Sequence, residues 1–222
     1  MATSRLAPAL LPHSNGRTVW VVSVVHPGAI VRGAWAAEPQ QWEYLRRARA
    51  LASGTWEPPS HTDLVRGFNL APTASDVQAF TSQAIQGKGV YAVDIECAGP
   101  HLVCVGMCHL TTKQGMVVRL RGPGGTTLWG PQLPGVLECL YEFLSEPAVG
   151  KWFHNGQAFD IPYLEQQGFE VAGFVGDTML LQRFMFPGMD ASLQGCGSFY
   201  LGAPAWKYLA KDTNPDEDAD GK

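Results

Sequence analysis

The chain has 222 residues, 45% hydrophobic and 16% charged, with a formal net charge of -4. That suffices for one fair-sized soluble domain plus an appendage, and it excludes a basic nucleic-acid-binding tail. A nucleic-acid substrate stays open, because a site can recruit cations to offset its own acids. No stretch reaches the roughly 20 apolar residues of a membrane span, so no membrane partner is expected. Pro8 breaks the short apolar run near the N-terminus, and no signal peptide is predicted. Cys97, Cys104, Cys108, Cys139 and Cys196 are odd in number and hold no Cys-x-x-Cys pair. They read as free thiols in a reducing, cytoplasmic setting.

Residues 1 to about 17 read as irregular. The valine-rich TVWVVSVV (18–25) predicts a strand closed by His26-Pro27-Gly28. EPQQWEYLRRARALA (38–52) predicts a helix, its acidic start and arginine-rich end suiting the helix dipole. Gly54, Pro58, Pro59 and Pro72 make 54–72 a linker by composition. TASDVQAFTSQAIQ (73–86) predicts a helix with Thr73 or Ser75 as N-cap and Val77, Phe80, Ala84 and Ile85 on its apolar face. Three strands follow, GVYAVDIECA, HLVCVGMCHL and GMVVRLRG, whose short breaks suit antiparallel hairpins. GPQLPGVLECLYEFLSEP predicts a helix ended by Pro147, VGKWFHNG a short strand, and QAFDIPYLEQQGF a helix with an early proline. FVGDTMLLQRFMFP runs from a strand end into a helix, and DASLQGCGSFYLG predicts one more. The acidic DTNPDEDADGK tail lacks an apolar pattern and reads as disordered. The order from residue 73, three hairpin strands and then strands separated by helices, predicts an α/β fold with a mixed sheet flanked by helices. The seven tryptophans are expected mostly in the core, as are Cys104 and Cys108, four apart on one strand face.

Two carboxylates interrupt the apolar pattern of VYAVDIECAG (90–99). Residues i and i+2 of a strand share a face, so Asp94 and Glu96 project together. Such a pair repels at neutral pH unless one acid is protonated or a cation sits between them. Hard divalent cations such as Mg²⁺ take oxygen ligands of this kind. The plain alternative is a solvated strand edge. Further on, KWFHNGQAFDIPYL places Asn155 and Asp160 where a short strand meets an apolar helix, with Phe159 directly before the acid. A carboxylate there could reach the end of a neighbouring strand, or could simply serve the helix start, with Asn155 as N-cap.

Together DIE (94–96) and, about sixty residues on, HNGQAFD resemble the first two motifs of the DEDD-type 3′–5′ exonucleases. These are the proofreading domains of replicative DNA polymerases and their RNA-processing relatives. GDTMLLQRFMFP and ASLQGCGSFYLGAPAWK are similar to later segments of the exonuclease domains of family A polymerases. The resemblance covers roughly residues 73 to 212 and implies a ribonuclease-H-like fold. It also implies two Mg²⁺ or Mn²⁺ ions clamping a scissile phosphate at a single-stranded DNA 3′ end, with a DNA polymerase as a possible partner. On it, Asp94, Glu96 and Asp160 are metal ligands and catalytic residues, and Asn155 and Phe159 contact the substrate strand. Asp177 reads as structural, capping the helix that starts at Thr178. The family also needs a fourth acid on a late helix. YLAKD offers Tyr208 to orient or deprotonate the attacking water and Asp212 as the last ligand, although the family carries a longer segment between the lysine, here Lys207, and this motif. Two other outcomes stay open: an exoribonuclease of the same fold, and a non-catalytic nucleic-acid- or polymerase-binding module.

Near the N-terminus, VWVVSVVHPGAIVRGAWAAEPQQWEYLRRA resembles the C-terminal end of iron–sulfur-type uracil-DNA glycosylases, with His26 at the position of the motif histidine. The glycine-rich motif, acid and cluster cysteines that precede this region in that family are not present, so base excision is not expected. The expected organisation is therefore a strand–helix segment at 1–53, a linker at 54–72, the exonuclease domain at 73–212 and an acidic tail at 213–222.

Overall fold

The computed structural model describes residues 8–204 and 206. Its elements run β1 (Ala9–Pro12), β2 (Thr18–Val21), α1 (Pro27–Val31), α2 (Glu38–Ala52), α3 (His61–Leu64), β3 (Phe68–Asn69), α4 (Ala74–Gly87), β4 (Val90–Ala98), β5 (His101–His109), β6 (Gly115–Arg119), α5 (Leu133–Ser145), β7 (Gly150–Phe153), α6 (Asp160–Gln166), β8 (Phe174–Asp177), α7 (Thr178–Met185) and α8 (Leu193–Cys196). A π-helical turn, Gly197–Leu201, continues α8. The order from residue 73 onward is the one predicted. Tyr208, Asp212 and the acidic tail lie outside the described residues. The chain divides into two units, Gly67–Leu180, and Met1–Arg66 with Leu181–Lys222.

The Gly67–Leu180 unit is built on one six-stranded sheet of order β3-β6-β5-β4-β7-β8. β4, β5 and β6 form an antiparallel meander. β7 and β8 join in parallel, each reached through a helix. The meander followed by helical crossovers is a ribonuclease-H-like arrangement. Period-two alternation decides the faces. Tyr91, Val93 and Ile95 of β4 are buried together with Val105, Met107, Met116 and Val118 from the neighbouring strands. Val77 and Ala84 of α4, and Val136, Leu140, Phe143 and Leu144 of α5, complete that core. Each fully buried side chain of this kind contributes about 1.5–3 kcal/mol. Tyr91 meets the edges of Phe80 and Phe143, with ring centroids 5.9 and 5.3 Å away. α4 begins on a reciprocal capping box: Thr73 Oγ1 accepts from the Asp76 N–H, and the Asp76 carboxylate accepts from the Thr73 N–H at 2.8 Å.

The opposite face of β4 carries Ala92, Asp94 and Glu96. Cys104 stands across from Glu96, and Cys108 across from Ala92. Both thiols therefore share the acid-bearing face and are half-buried, not members of the core expected from sequence. One cation does enter the interior. Lys151 of β7 has 0% of its surface exposed. Its Nζ donates to the Glu146 and Val149 carbonyls at 2.7 and 3.1 Å and lies 5.5 Å from the Phe143 ring centre.

In the other unit, residues 9–12 are not irregular as expected, but pair as β1 with β2 around an Asn15-Gly16 turn in which Gly16 has φ +78°. The Asn-Gly dipeptide was the hairpin signal in the sequence. β2 stops at Val21, short of the predicted Val25. α2 spans the predicted 38–52. From it the buried Arg47 donates to the carbonyls of Ser198 and Phe199, pairs with Glu43 at 2.9 Å and lies over Trp56. His26 caps α1, its Nδ1 accepting from the Gly28 N–H at 3.0 Å. The 54–72 stretch holds α3, with its own Ser60–Asp63 capping box, and β3, which pairs with β6. The tryptophans depart from expectation: Trp20, Trp35 and Trp42 are exposed and the other four half-buried. So large a side chain is seldom enclosed completely. No helix among the described residues is long and apolar enough to cross a membrane.

Candidate active site

The geometry begins where β7 falls short. β4 pairs with β7 only over Val90–Ala92, so the later N–H groups on that edge lack a strand partner. An unpaired N–H at a buried position must find an acceptor elsewhere. The Ile95 N–H finds Asp160, whose Oδ1 accepts it at 3.1 Å. Ile95 lies between Asp94 and Glu96, so this one bond sets the third carboxylate beside the pair.

The turn after β7 delivers Asp160 to that point. Asn155 sits in the left-handed region with φ +68°, and its carbonyl accepts from the N–H groups of Ala158 and Phe159 at 3.1 and 3.0 Å. Gly156 follows because there is no room for a side chain, as an added Cβ would lie 2.2 Å from Cβ of Phe153. Asp177, at the end of β8, accepts through Oδ1 from Asn155, Met179 and Leu180 N–H groups at 3.0, 2.9 and 3.3 Å. It caps α7, as expected, and also holds the Asn155 turn. Sequence spacing carries no signal for that second role, since it depends on β7 and β8 being neighbours. α6 is tied to the β4–β5 turn, where Tyr163 Oη donates to the Gly99 carbonyl at 3.1 Å and Gln167 donates to that of Pro100 at 3.3 Å. Asp160 opens α6 and is only 3% exposed. Phe159 before it is 47% exposed, its ring centre 6.0 Å from that of Tyr163.

The acids repel as their placement requires. Asp94 reaches solvent, yet the protein crowding its carboxylate, then Asp160 and then Glu96, push its pKa up to about 6. Asp160 is likewise pushed up to about 6, first by burial. The Ile95 N–H and its own backbone N–H oppose that rise, while Asp177 and Glu96 add to it. Asp177 stays below the ordinary carboxylate value: burial raises it, but the N–H groups of Asn155, Leu180, Met179 and Gly156 prevail.

Asp94, Glu96, Asp160, Asn155 and Phe159 are thus gathered at one end of the sheet, whereas Tyr208 and Asp212 lie outside the described residues. Among the described residues, no three His, Cys, Asp or Glu side chains close into a shell that could hold a metal ion. The donor chemistry nevertheless suits a hard divalent cation: oxygen ligands only, adjacent, repelling one another and, among the described residues, in no ion pair with a basic side chain.

No protein-family model matches the chain. The chloroplastic DNA polymerase I A of Oryza sativa subsp. japonica is 37% identical over 83 residues, 36% of this chain and 8% of the polymerase. The mitochondrial DNA polymerase I B of the same plant is 36% identical over 83 residues. The chain therefore corresponds to a small fraction of these relatives. Similar solved structures include Trypanosoma brucei RNase D in complex with RNA U12 (TM-score 0.48, 14% identity, 67% of this chain and 52% of that one). The catalytic core of RRP6 from Trypanosoma brucei is another (TM-score 0.47, 16% identity, 90% and 50%). A third is the EXD2 exonuclease domain soaked in Mg and GMP (TM-score 0.38, 17% identity, 67% and 83%). The antiparallel meander with parallel crossover strands is itself the ribonuclease-H-like feature of the chain, and the polymerase relatives are of the kind whose segments the sequence motifs resemble.

Proposed function

We propose that the chain is a metal-dependent 3′–5′ exonuclease acting on single-stranded DNA ends and proofreading for a separate DNA polymerase. The observation that carries this is the bond from the Ile95 N–H to Asp160 Oδ1, which brings a carboxylate 65 residues away in sequence to the Asp94–Glu96 pair. Asp94, Glu96 and Asp160 would hold Mg²⁺ or Mn²⁺, with Asp212 completing the set and two ions as the expected number. Bound divalent ions supply charge stabilisation at the phosphate and an activated water. The protein's own part is to fix the three carboxylates on a rigid strand and helix start. Tyr208 would orient the attacking water. The exposed ring of Phe159 offers a stacking surface for a terminal base, which tolerates any sequence. Asn155, anchored through its backbone, would contact the strand behind the scissile bond.

The test is hydrolysis of 5′-labelled single-stranded DNA and RNA of matched sequence in Mg²⁺ or Mn²⁺. The expected result is stepwise shortening of the DNA from its 3′ end. Asp94→Ala and Asp160→Ala should each cost about 10²-fold or more. Shortening of the RNA alone would make the chain an exoribonuclease. Hydrolysis of neither, with retained binding, would make it a non-catalytic nucleic-acid-binding module.

A further inference from the structure

Given the exonuclease function proposed above, a polyanion must lie with its terminal phosphate at three acids on a chain that is itself acidic. The lysines and arginines of the Gly67–Leu180 unit are Lys88, Lys113, Arg119, Arg121 and Lys151. Lys88 caps α4 just before β4 begins, and Lys113 lies in the β5–β6 turn. The β4–β5 register puts both at the end of the sheet opposite the acids. Lys151 is buried and held by two carbonyls. Arg121 donates to the Gly125 carbonyl at 3.0 Å and lines a separate cavity with Leu102 and Phe169, which belong to the core on the other face. Arg119 remains.

Its position follows from register. Glu96 pairs with Cys104, and Cys104 pairs with Arg119, so the three form one row across β4, β5 and β6. Two strand spacings put the Arg119 Cα about 10 Å from that of Glu96. Val118 and Leu120 on either side point into the core, and Arg119 points out of the acid-bearing face and is exposed. Among the described residues no carboxylate is ion-paired with it. Its carbonyl accepts from Trp129 Nε1 at 2.7 Å, which fixes the strand end that carries it. Beside it opens a hollow of about 210 Å³ walled by Leu70, Pro72, Leu128 and Trp129. A guanidinium next to apolar walls matches the two chemistries of a nucleotide, phosphate and base.

The geometry points to Arg119 as the substrate-binding residue that takes a phosphate upstream of the scissile one. The acids face the terminal phosphate and the guanidinium faces its neighbour along the strand. Arg119 thus favours a polynucleotide chain over a single nucleotide ester.

The test compares wild type with Arg119→Gln on two substrates: a single-stranded DNA oligonucleotide, and the p-nitrophenyl ester of thymidine 5′-monophosphate, whose only phosphate is the one cut. Arg119→Gln should raise KM for the oligonucleotide about tenfold with kcat little changed. It should leave kcat/KM for the ester as in wild type, and flatten the salt dependence of log kcat/KM on the oligonucleotide by about 0.7. Arg119→Lys should recover part of the loss. An unchanged oligonucleotide KM, or an equal loss on both substrates, would overturn the assignment. A wild-type chain that cuts neither substrate overturns the exonuclease proposal itself, and Arg119 with it.

Discussion

At Asp94 and Asp160, both pushed up to about 6 from an ordinary 3.8, repulsion is built into the folded state. Between about pH 4 and pH 6 the folded chain keeps protons that the unfolded chain would release. The stability these groups contribute is therefore greatest below pH 4 and falls as pH rises through about 6. The full displacement at Asp94 would amount to about 3 kcal/mol, but solvent reaches the side chain, and about 1 kcal/mol is the expected gain from Asp94→Asn at pH 7. Urea denaturation should show that gain shrinking toward zero at pH 4, while hydrolysis is lost at both. A divalent cation competes with protons for the same oxygens. Mg²⁺ should accordingly raise the wild-type melting temperature at pH 7.5 and scarcely at pH 5, and a differential scan of Asp94→Ala should show no Mg²⁺ effect at either. The adjacency of Asp94 and Glu96 was legible from strand periodicity alone. The approach of Asp160 was legible from the pattern only as one of two alternatives, and the resemblance favoured it, because the N–H it satisfies is left open by the length of β7, which no local pattern announces.

Individual elements are held by groups that the hydrophobic pattern does not reveal. Asp177 ties the end of β8, the start of α7 and the Asn155 turn through one carboxylate oxygen. Removing an acceptor shared by several N–H groups costs about 2 kcal/mol. Asp177→Ala should lose about that in chemical denaturation and, by loosening the segment leading to Asp160, lower kcat as well. Asp177→Asn, which keeps an acceptor oxygen, should recover part of both. Lys151 behaves in the opposite sense to the acids. Burial pulls it down to about 8 from 10.5, so the unfolded chain holds the extra proton between those values. Its contribution makes stability rise with pH from about 8 to 10.5. Lys151→Met should abolish that alkaline rise, as read by guanidinium melts across the range. α2 was readable from its charge pattern and α4 from its capping residues, both of them local signals. β1 read as irregular, because four residues ending in proline carry little pattern of their own and only the Asn15-Gly16 turn signals the pairing.

For the whole molecule, the unusual quantity is its charge. A chain with net charge -4 lacks the general attraction by which basic proteins hold nucleic acid. Its affinity for single strands should depend on divalent cations more than on monovalent salt. Fluorescence anisotropy of a labelled oligonucleotide should show binding by Asp94→Asn and wild type that is weak in a chelator and strengthened by Mg²⁺ in wild type far more than in the variant. Five of the six strands were legible as an element order, since three hairpin strands followed by helical crossovers leave few arrangements, whereas β3, inside a stretch that reads as a linker, was not. The assignment of residues 181–204 to the same unit as the N-terminal segment was not, because proximity across that sequence separation rests on side chains such as Arg47 meeting the Ser198 and Phe199 carbonyls.

The Asn155-Gly156 step also bears on how the protein ages. An asparagine followed by glycine is the dipeptide most prone to lose its amide, because the bare glycine nitrogen can attack the side chain and close a succinimide ring. Here the Asn155 N–H donates to the Asp177 carboxylate at 3.0 Å, which fixes the turn, and Gly156 is buried. The same contact that aims Asp160 therefore protects the turn from chemical decay. Peptide mapping of stored samples should find Asn155 intact in the wild type and converted to aspartate and isoaspartate in Asp177→Ala.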